Sequence, residues 1–261
     1  MAWISLLLGG LVAGVLAGLL GIGGGTILVP ILLATGAVPV QAIATSSLAI
    51  IITSLSGSVQ NWRMGLLDFQ QIAWLGLPAI AASQIGVQLA SGASDQWLLI
   101  AFGVLMLVNL ALLSLRQQLV RTTQTEHPSQ TDRSYPRRSC AIGAKILTGG
   151  LAGMIAGLLG VGGGAIMVPL QMLLLQEPIK RAIQTSLGVV VLTAIASTAG
   201  HAVNGNVLWL PGLILGVGGL VSAQLSTRLL PRLPDRWVSA LFRAFLLLSA
   251  LYSFGQAFQE R

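Results

Sequence analysis

Two glycine-rich stretches have the spacing to do chemistry: Gly21-Ile-Gly-Gly-Gly25-Thr26 and Gly160-Val-Gly-Gly-Gly164-Ala165. Each follows an apolar run and precedes a second one that contains a proline, Pro30 or Pro169. Serial glycines let backbone amides converge, because no Cβ holds the chain at a distance. A helix starting at Thr26 or Ala165 would aim unpaired N–H groups and a positive dipole end at whatever lies before it. Thr26 also suits the N-cap position. Two such ends facing each other inside a bilayer make a preformed anion site. Gly23, Gly24, Gly25, Thr26, Gly162, Gly163, Gly164 and Ala165 are its expected substrate-binding residues. The competing reading, a tight turn and nothing more, is weaker, because irregular backbone at membrane depth must line a cavity or lie in the protein interior. A nucleotide site fails: no strand precedes the glycines and no Gly-Lys-Ser/Thr follows them.

Hydroxyls form the second set: Thr45, Ser46, Ser47, Thr53, Ser54, Ser56 and Ser58 in one run, Thr185, Ser186, Thr193, Ser197 and Thr198 in another. A hydroxyl can donate to an oxyanion without bringing charge. Ser46, Ser47, Thr185 and Ser186 complete the expected site; for any other single hydroxyl, helix packing is the ordinary role. Gln84 and Gln224 read as interhelical glue or site lining, Asn61, His201 and Asn204 as solvated helix ends, and Asp95 and Asp235 as caps beside Trp97 and Trp237. No Asp, Glu or Lys falls in the middle of an apolar run, which argues against cation substrates and carboxylate proton coupling. The single cysteine, Cys140, excludes a disulfide framework and a zinc cluster. Nothing calls for a cofactor or a metal. A hydrolase built on His201 lacks a Gly-x-Ser-Gly setting, so no catalytic set is expected.

The elements that position these residues follow from composition. Of 261 residues, 54% are hydrophobic and 8% charged, against about 25% charged in a soluble domain. Between Arg181 and Arg228 the sole ionisable side chain is His201. Such runs fit helices crossing a hydrocarbon core of about 30 Å. Barrel strands would alternate polar with apolar residues, and these do not. The fold class is therefore an all-α integral membrane protein, with the lipid bilayer as its first partner. The net charge of +7 sits in loops and a linker without interleaved aromatics, so it marks topology rather than nucleic acid.

The chain repeats itself. Gly18-Leu-Leu-Gly-Ile-Gly-Gly-Gly25 returns as Gly157-Leu-Leu-Gly-Val-Gly-Gly-Gly164. In the same register Pro30 meets Pro169, Gly10/Gly14/Gly18 meet Gly149/Gly153/Gly157, and Ser46-Ser47-Leu48 meets Thr185-Ser186-Leu187. With one residue inserted, Gly65 meets Gly205, Gln84 meets Gln224, Asp95 meets Asp235 and Trp97 meets Trp237. This implies two homologous repeats of four to five helices, 1–115 and 142–261, each with a broken helix or hairpin at its glycine turn. A flexible polar cytoplasmic linker, 116–141, joins them. The Gly-x-x-x-Gly runs predict close helix packing.

Twelve-residue pieces at 26–37 and 165–176 rise only about 18 Å, which favours re-entrant segments. Charge favours five crossings per half. Inverted halves put Arg63, Lys145, Lys180, Arg181, Arg228, Arg232, Arg236 and the linker arginines inside together, with both termini outside. Inverted halves are the expectation.

Both glycine turns, continued as Thr-Ile-Leu-Val-Pro and Ala-Ile-Met-Val-Pro, resemble the sulfite exporter TauE/SafE family, also described as toluene sulfonate uptake permeases. The duplicated halves, hydrophilic linker and Gln-Ala-Ile-Ala-Thr-Ser-Ser start of the second long helix extend the resemblance over nearly the whole chain. It implies a bacterial plasma (inner) membrane secondary transporter of small anions, most of all sulfur oxyanions such as sulfite, sulfonates or sulfoacetate. An anion channel, or a membrane partner subunit without transport of its own, is the alternative. A homo-oligomer is compatible with either.

Overall fold

A computed structural model describes residues 2–125 and 138–234, with positions 236–238, 240–241, 243–244, 247–248 and 251 beyond them. Among the described residues there are nine α-helices and no strand. They are α1 (Ala2–Leu20), α2 (Gly25–Ala34), α3 (Pro39–Arg63), α4 (Phe69–Gly92), α5 (Asp95–Thr125), α6 (Arg138–Leu159), α7 (Gly164–Leu174), α8 (Ile179–Val203) and α9 (Trp209–Leu229). A 3-10 turn, Leu230–Arg232, follows α9, and the described positions within 236–251 are helical. Six helices are long and apolar enough to cross a membrane, while α2 and α7 are shorter apolar helices.

Two helix boundaries differ from the sequence reading. The helix α5 runs on to Thr125 and α6 begins at Arg138, so the polar stretch expected at 116–141 is helical at both ends. Arg116-Gln-Gln-Leu119 are good helix formers and extend the apolar helix at little cost. Residues 126–137 lie outside the described set. Asp95 occupies the first turn of α5, with the Ser94 carbonyl accepting from Leu98 N. It thus complements the helix dipole from inside the helix rather than capping it. Asp235 lies outside the described residues.

Small residues form the seams between outer helices, while large apolar side chains such as Leu20, Ile22, Ile50 and Leu187 fill the interior. Helices α3 and α8 are central and are more deeply buried than the other four helices of membrane-spanning length. The helix pairs α1/α9 and α4/α6 flank them. The Gly-x-x-x-Gly runs set these outer seams. A methyl group built on Gly10 would lie 2.1 Å from the Leu215 carbonyl oxygen, and one on Gly14 2.3 Å from that of Gly219. On the other seam Gly149 meets Leu75, Gly153 meets Ala79 and Gly157 meets Ser83, all at 2.0–2.1 Å from carbonyl oxygens. Backbones this close gain dispersion contacts where lipid offers no hydrophobic drive for helix association. Residue numbers rise together along both seams, so α1 runs parallel to α9 and α6 parallel to α4. Other large apolar side chains on the outer helices point outward: Leu77, Ile85, Val217, Val221 and Leu225 are exposed, as lipid-facing positions require.

Candidate functional site

Each glycine stretch breaks the chain between two helices. Gly21, Gly23 and Gly24 take φ of 70°, 74° and 86°, and Gly160, Gly162 and Gly163 take 65°, 76° and 75°. L side chains avoid this left-handed region. The second helices start at Gly25 and Gly164, capped by Gly24 and Gly163 without any side-chain cap bond. This corrects the expectation that Thr26 caps α2: Thr26 lies inside the first turn, and its Oγ1 is fully buried with no hydrogen-bond partner. The cap falls on glycine because the chain there reverses onto α1. A methyl on Gly24 would lie 2.7 Å from the Ala13 carbonyl oxygen, and one on Gly163 2.5 Å from that of Ala152.

The two turns meet. A methyl on Gly25 would sit 2.5 Å from the Gly160 carbonyl oxygen, and one on Gly164 2.2 Å from that of Gly21. Gly23, Gly24, Gly25, Gly162, Gly163, Gly164 and Ala165 are all buried. The sequence-predicted glycine residues therefore converge on one point, with the amides of two helix N-termini around it.

Hydroxyls from the central helices fasten the turns. Ser46 Oγ donates to the Gly160 carbonyl (2.9 Å) and Ser186 Oγ to that of Gly21 (2.9 Å). Thr53 Oγ1 donates to Gly23 O (2.9 Å) and Thr193 Oγ1 to Gly162 O (3.0 Å). These carbonyls belong to broken backbone in a membrane interior, where an unmet acceptor is costly. The bonds pair Ser46 with Ser186, one position away from the register that matches Ser46 with Thr185. Helix α7 has 11 residues and α2 has 10, so the extra residue enters before the long helix. Ser47 bonds Ser197 Oγ (3.2 Å) and Thr185 is buried at the start of α8.

Several residues here escape sequence reasoning. Ile50 and Val190, both fully buried, fill the space between the turns: methyls on Gly23 and Gly162 would each lie 2.8–3.2 Å from Ile50 Cγ2 and Val190 Cγ1. Ser54 Oγ is buried without a partner, 3.0 Å from the Gly23 position. Its signal is helical spacing, since Ser47, Ser54, Ser58 and Asn61 share one face of α3. Asn61 and His201 correct the expectation of solvated helix ends, for both are fully buried. The helices run past them to Arg63 and Val203, and His201 Nε2 donates to the Gly157 carbonyl (3.0 Å). Gln84 acts as interhelical glue, its Nε2 donating to Ala196 O at 2.7 Å. Asn204 bonds Ser91 Oγ at an exposed position.

Polar groups gather at the ends as well. Around the α3–α4 loop and the start of α8, Arg181 pairs with Asp68 at 3.3 Å, Gln71 Nε2 donates to Glu177 Oε1, and Lys180 Nζ donates to Pro231 O. Burial pushes the Glu177 carboxyl above its ordinary range, against the opposing pull of the Gln71 bond, Arg181 and Lys145. Among the described residues no cluster of His, Cys, Asp or Glu could hold a metal ion.

Long apolar helices, glycine seams and two broken helices that meet in the interior define a multi-pass helical membrane protein. The chain belongs to the family described as Sulfite exporter TauE/SafE, whose profile matches residues 6–253. It is 28% identical to "Probable membrane transporter protein YunE" of Bacillus subtilis, over 95% of this chain and 96% of that one. A "Probable membrane transporter protein" of Xylella fastidiosa is 31% identical, over 86% of this chain and 83% of its own length. An archaeal relative from Methanocaldococcus jannaschii, of the same description, is 24% identical over 95% of this chain.

Proposed function

We propose that this chain is a secondary transporter of small anions in a bacterial inner membrane, with sulfur oxyanions as its first candidates, and that the paired glycine turns are its substrate site. One observation carries the reading: two helix N-termini, capped by left-handed glycines, converge in the buried centre beside hydroxyls without partners, Thr26 Oγ1 and Ser54 Oγ. Bare amides, positive dipole ends and uncommitted hydroxyls suit a tetrahedral or pyramidal oxyanion, and none of these groups brings the negative charge that a cation site usually has. The family description adds sulfite as the first member of the test panel.

The two halves are inverted repeats of one unit in this reading. Parallel running of α1 with α9 and of α6 with α4 supports it, as do the reciprocal bonds Ser46–Gly160 and Ser186–Gly21. The basic loops then face the cytoplasm together. Ile50 and Val190 form a plug between the turns. A carrier must never open to both sides at once, so the plug stays shut until one repeat rocks against the other.

Purified protein in proteoliposomes, assayed for uptake of labelled sulfite, sulfate, thiosulfate and sulfoacetate, tests the function. Saturable flux of at least one anion is expected. No flux above empty vesicles across that panel overturns the reading, and unsaturable current assigns a channel instead.

A further inference from the structure

The two ends of the molecule carry equivalent elements in different states. At the basic end, the α3–α4 loop is joined to the start of α8 through the exposed Asp68–Arg181 pair and leaves an open depression of about 510 Å³. Gly65, Leu66, Leu67, Asp68, Pro178, Lys180, Arg181 and Gln184 line it. At the opposite end the α8–α9 loop is folded down onto the start of α3. There Leu208 N donates to Thr45 Oγ1 at 3.0 Å, and Val207 closes an apolar cluster with Ala44 and Leu48. Val207 is 7% exposed, whereas its counterpart Leu67 at the basic end is only partly buried. Among the described residues, no hydrogen bond ties the α3–α4 loop to Thr185 as Leu208 is tied to Thr45.

We propose that the depression at the basic end is an anion-collecting mouth of this carrier, with Lys180, Arg181 and Gln184 as its receiving groups, and that the Leu208–Thr45 contact latches the opposite mouth. The proposal rests on the transporter reading and adds where the anion enters or leaves. Gln184 is the floor. It is 92% buried by its 8% exposure yet lines the opening, and its neighbours Ile183 and Ser186 touch Gly21 of the central site. Arg181 and Lys180 are the rim. Asp68 holds Arg181 in a half-exposed pair, and exposed pairs of this kind are cheap to break. An arriving oxyanion exchanges with that carboxylate and then passes to the Gln184 amide, whose N–H groups donate. The matching positions at the latched end are Val40, Gln41 and Ala44, which offer neither charge nor a floor donor.

Thiol labelling tests this without requiring that the true substrate be known. Cys140 is replaced by Ser, and Gln184→Cys, Leu66→Cys and Ala44→Cys are made singly. Proteoliposomes of phosphatidylcholine, alone or with anionic lipid, are treated with anionic and with cationic membrane-impermeant methanethiosulfonates. Gln184→Cys and Leu66→Cys react at least about tenfold faster than Ala44→Cys, and prefer the anionic reagent. Adding Lys180→Gln and Arg181→Gln lowers that preference by about tenfold, the scale of electrostatic focusing at a charged cleft. High salt does the same. Asp68→Asn raises the preference, and Thr45→Val speeds labelling at Ala44→Cys.

Equal labelling at positions 66 and 44 overturns the open mouth, including where Gln184→Cys fails to purify as a single species. A charge preference that appears only with anionic lipid overturns the substrate role and makes the rim a headgroup site. If labelling behaves as expected while the anion panel shows no flux, the mouth stands and the sulfur-anion function falls.

Discussion

The centre of this molecule and its two ends follow different rules. At the centre the contacts that fasten the two glycine turns come in matched pairs: Ser46 with Ser186, Thr53 with Thr193, Gly25 with Gly164. At the ends, the corresponding loops part company, one packing Val207 and Leu208 against Ala44, Leu48 and Thr45, the other linked to α8 through the exposed Asp68–Arg181 pair beside an open depression. The difference teaches what each region is for. A site that must present the same donors whichever side is open is best built from broken backbone held by equal bonds. On the proposed carrier reading, gates take turns, and their sequences and states are then expected to diverge.

The most severe way to break the comparison is to disturb the point where the turns touch. Gly25→Ala and Gly164→Ala each drive a methyl to 2.5 Å or less from a carbonyl oxygen, and neither backbone can retreat because hydroxyl bonds hold it. Overpacking of this kind costs about 3 kcal/mol. Both variants should fail to yield a monodisperse protein, and to the same degree. Gly150→Ala, with nothing within 4 Å, should be neutral or stabilising by up to about 1 kcal/mol through helix propensity. Thermal unfolding in detergent separates the three. A mild Gly25→Ala beside a lethal Gly164→Ala would mean that the centre is not matched.

Next comes the plug. Ile50→Ala and Val190→Ala empty the space between the turns, at about 2–4 kcal/mol for Ile50 and less for the smaller Val190. The double variant should leak small anions down their gradient, without saturation, in proteoliposome flux. A tight double variant would remove Ile50 and Val190 from the gating scheme. Smaller again are the fastenings. Ser46→Ala and Ser186→Ala each leave a glycine carbonyl with one bond fewer, for about 1 kcal/mol, and their melting temperatures should fall equally. Unequal losses would show that one turn is held by something other than its hydroxyl.

How much of this could be read from residues alone depended on whether the signal was chemical or positional. The breaks were legible because serial glycines with a following Pro have few other uses in an apolar run. The seams were legible because Gly-x-x-x-Gly has a direct packing meaning. The register of α3 against α8 was not, since Ser47-Leu48 and Ser186-Leu187 look like a match while the extra residue hides inside α7. The Ile50 and Val190 plug was invisible: an apolar side chain in an apolar helix carries no mark of what it fills. Asn61 and His201 were misplaced for a third reason. Their polarity suggested a helix end, but the true ends lay two residues further on, and burial is set by neighbours that sequence does not name. The loops at the two ends differ in how they pack on the long helices, which composition does not encode.

The mildest expected effect concerns a residue that only one end possesses. Glu177 sits in the α7–α8 loop at the basic mouth, while Ala37 holds the matching place at the latched end. Burial raises its carboxyl above the ordinary range, so the folded protein binds that proton more tightly than the unfolded chain does. The stability this contributes is fully present below the unfolded-state value, near pH 4 for a glutamate, and is lost as pH rises through the folded-state value. Glu177→Gln keeps an acceptor for Gln71 and discards the charge. Its melting temperature should match that of the parent in acid and exceed it at neutral pH, the gap opening as the medium becomes less acidic. Asp68 and Glu177 repel each other across this mouth, so Asp68→Asn should narrow the gap. A gap that stays constant with pH would mean that the carboxyl ionises as freely as in water, and burial of Glu177 would no longer distinguish the basic end.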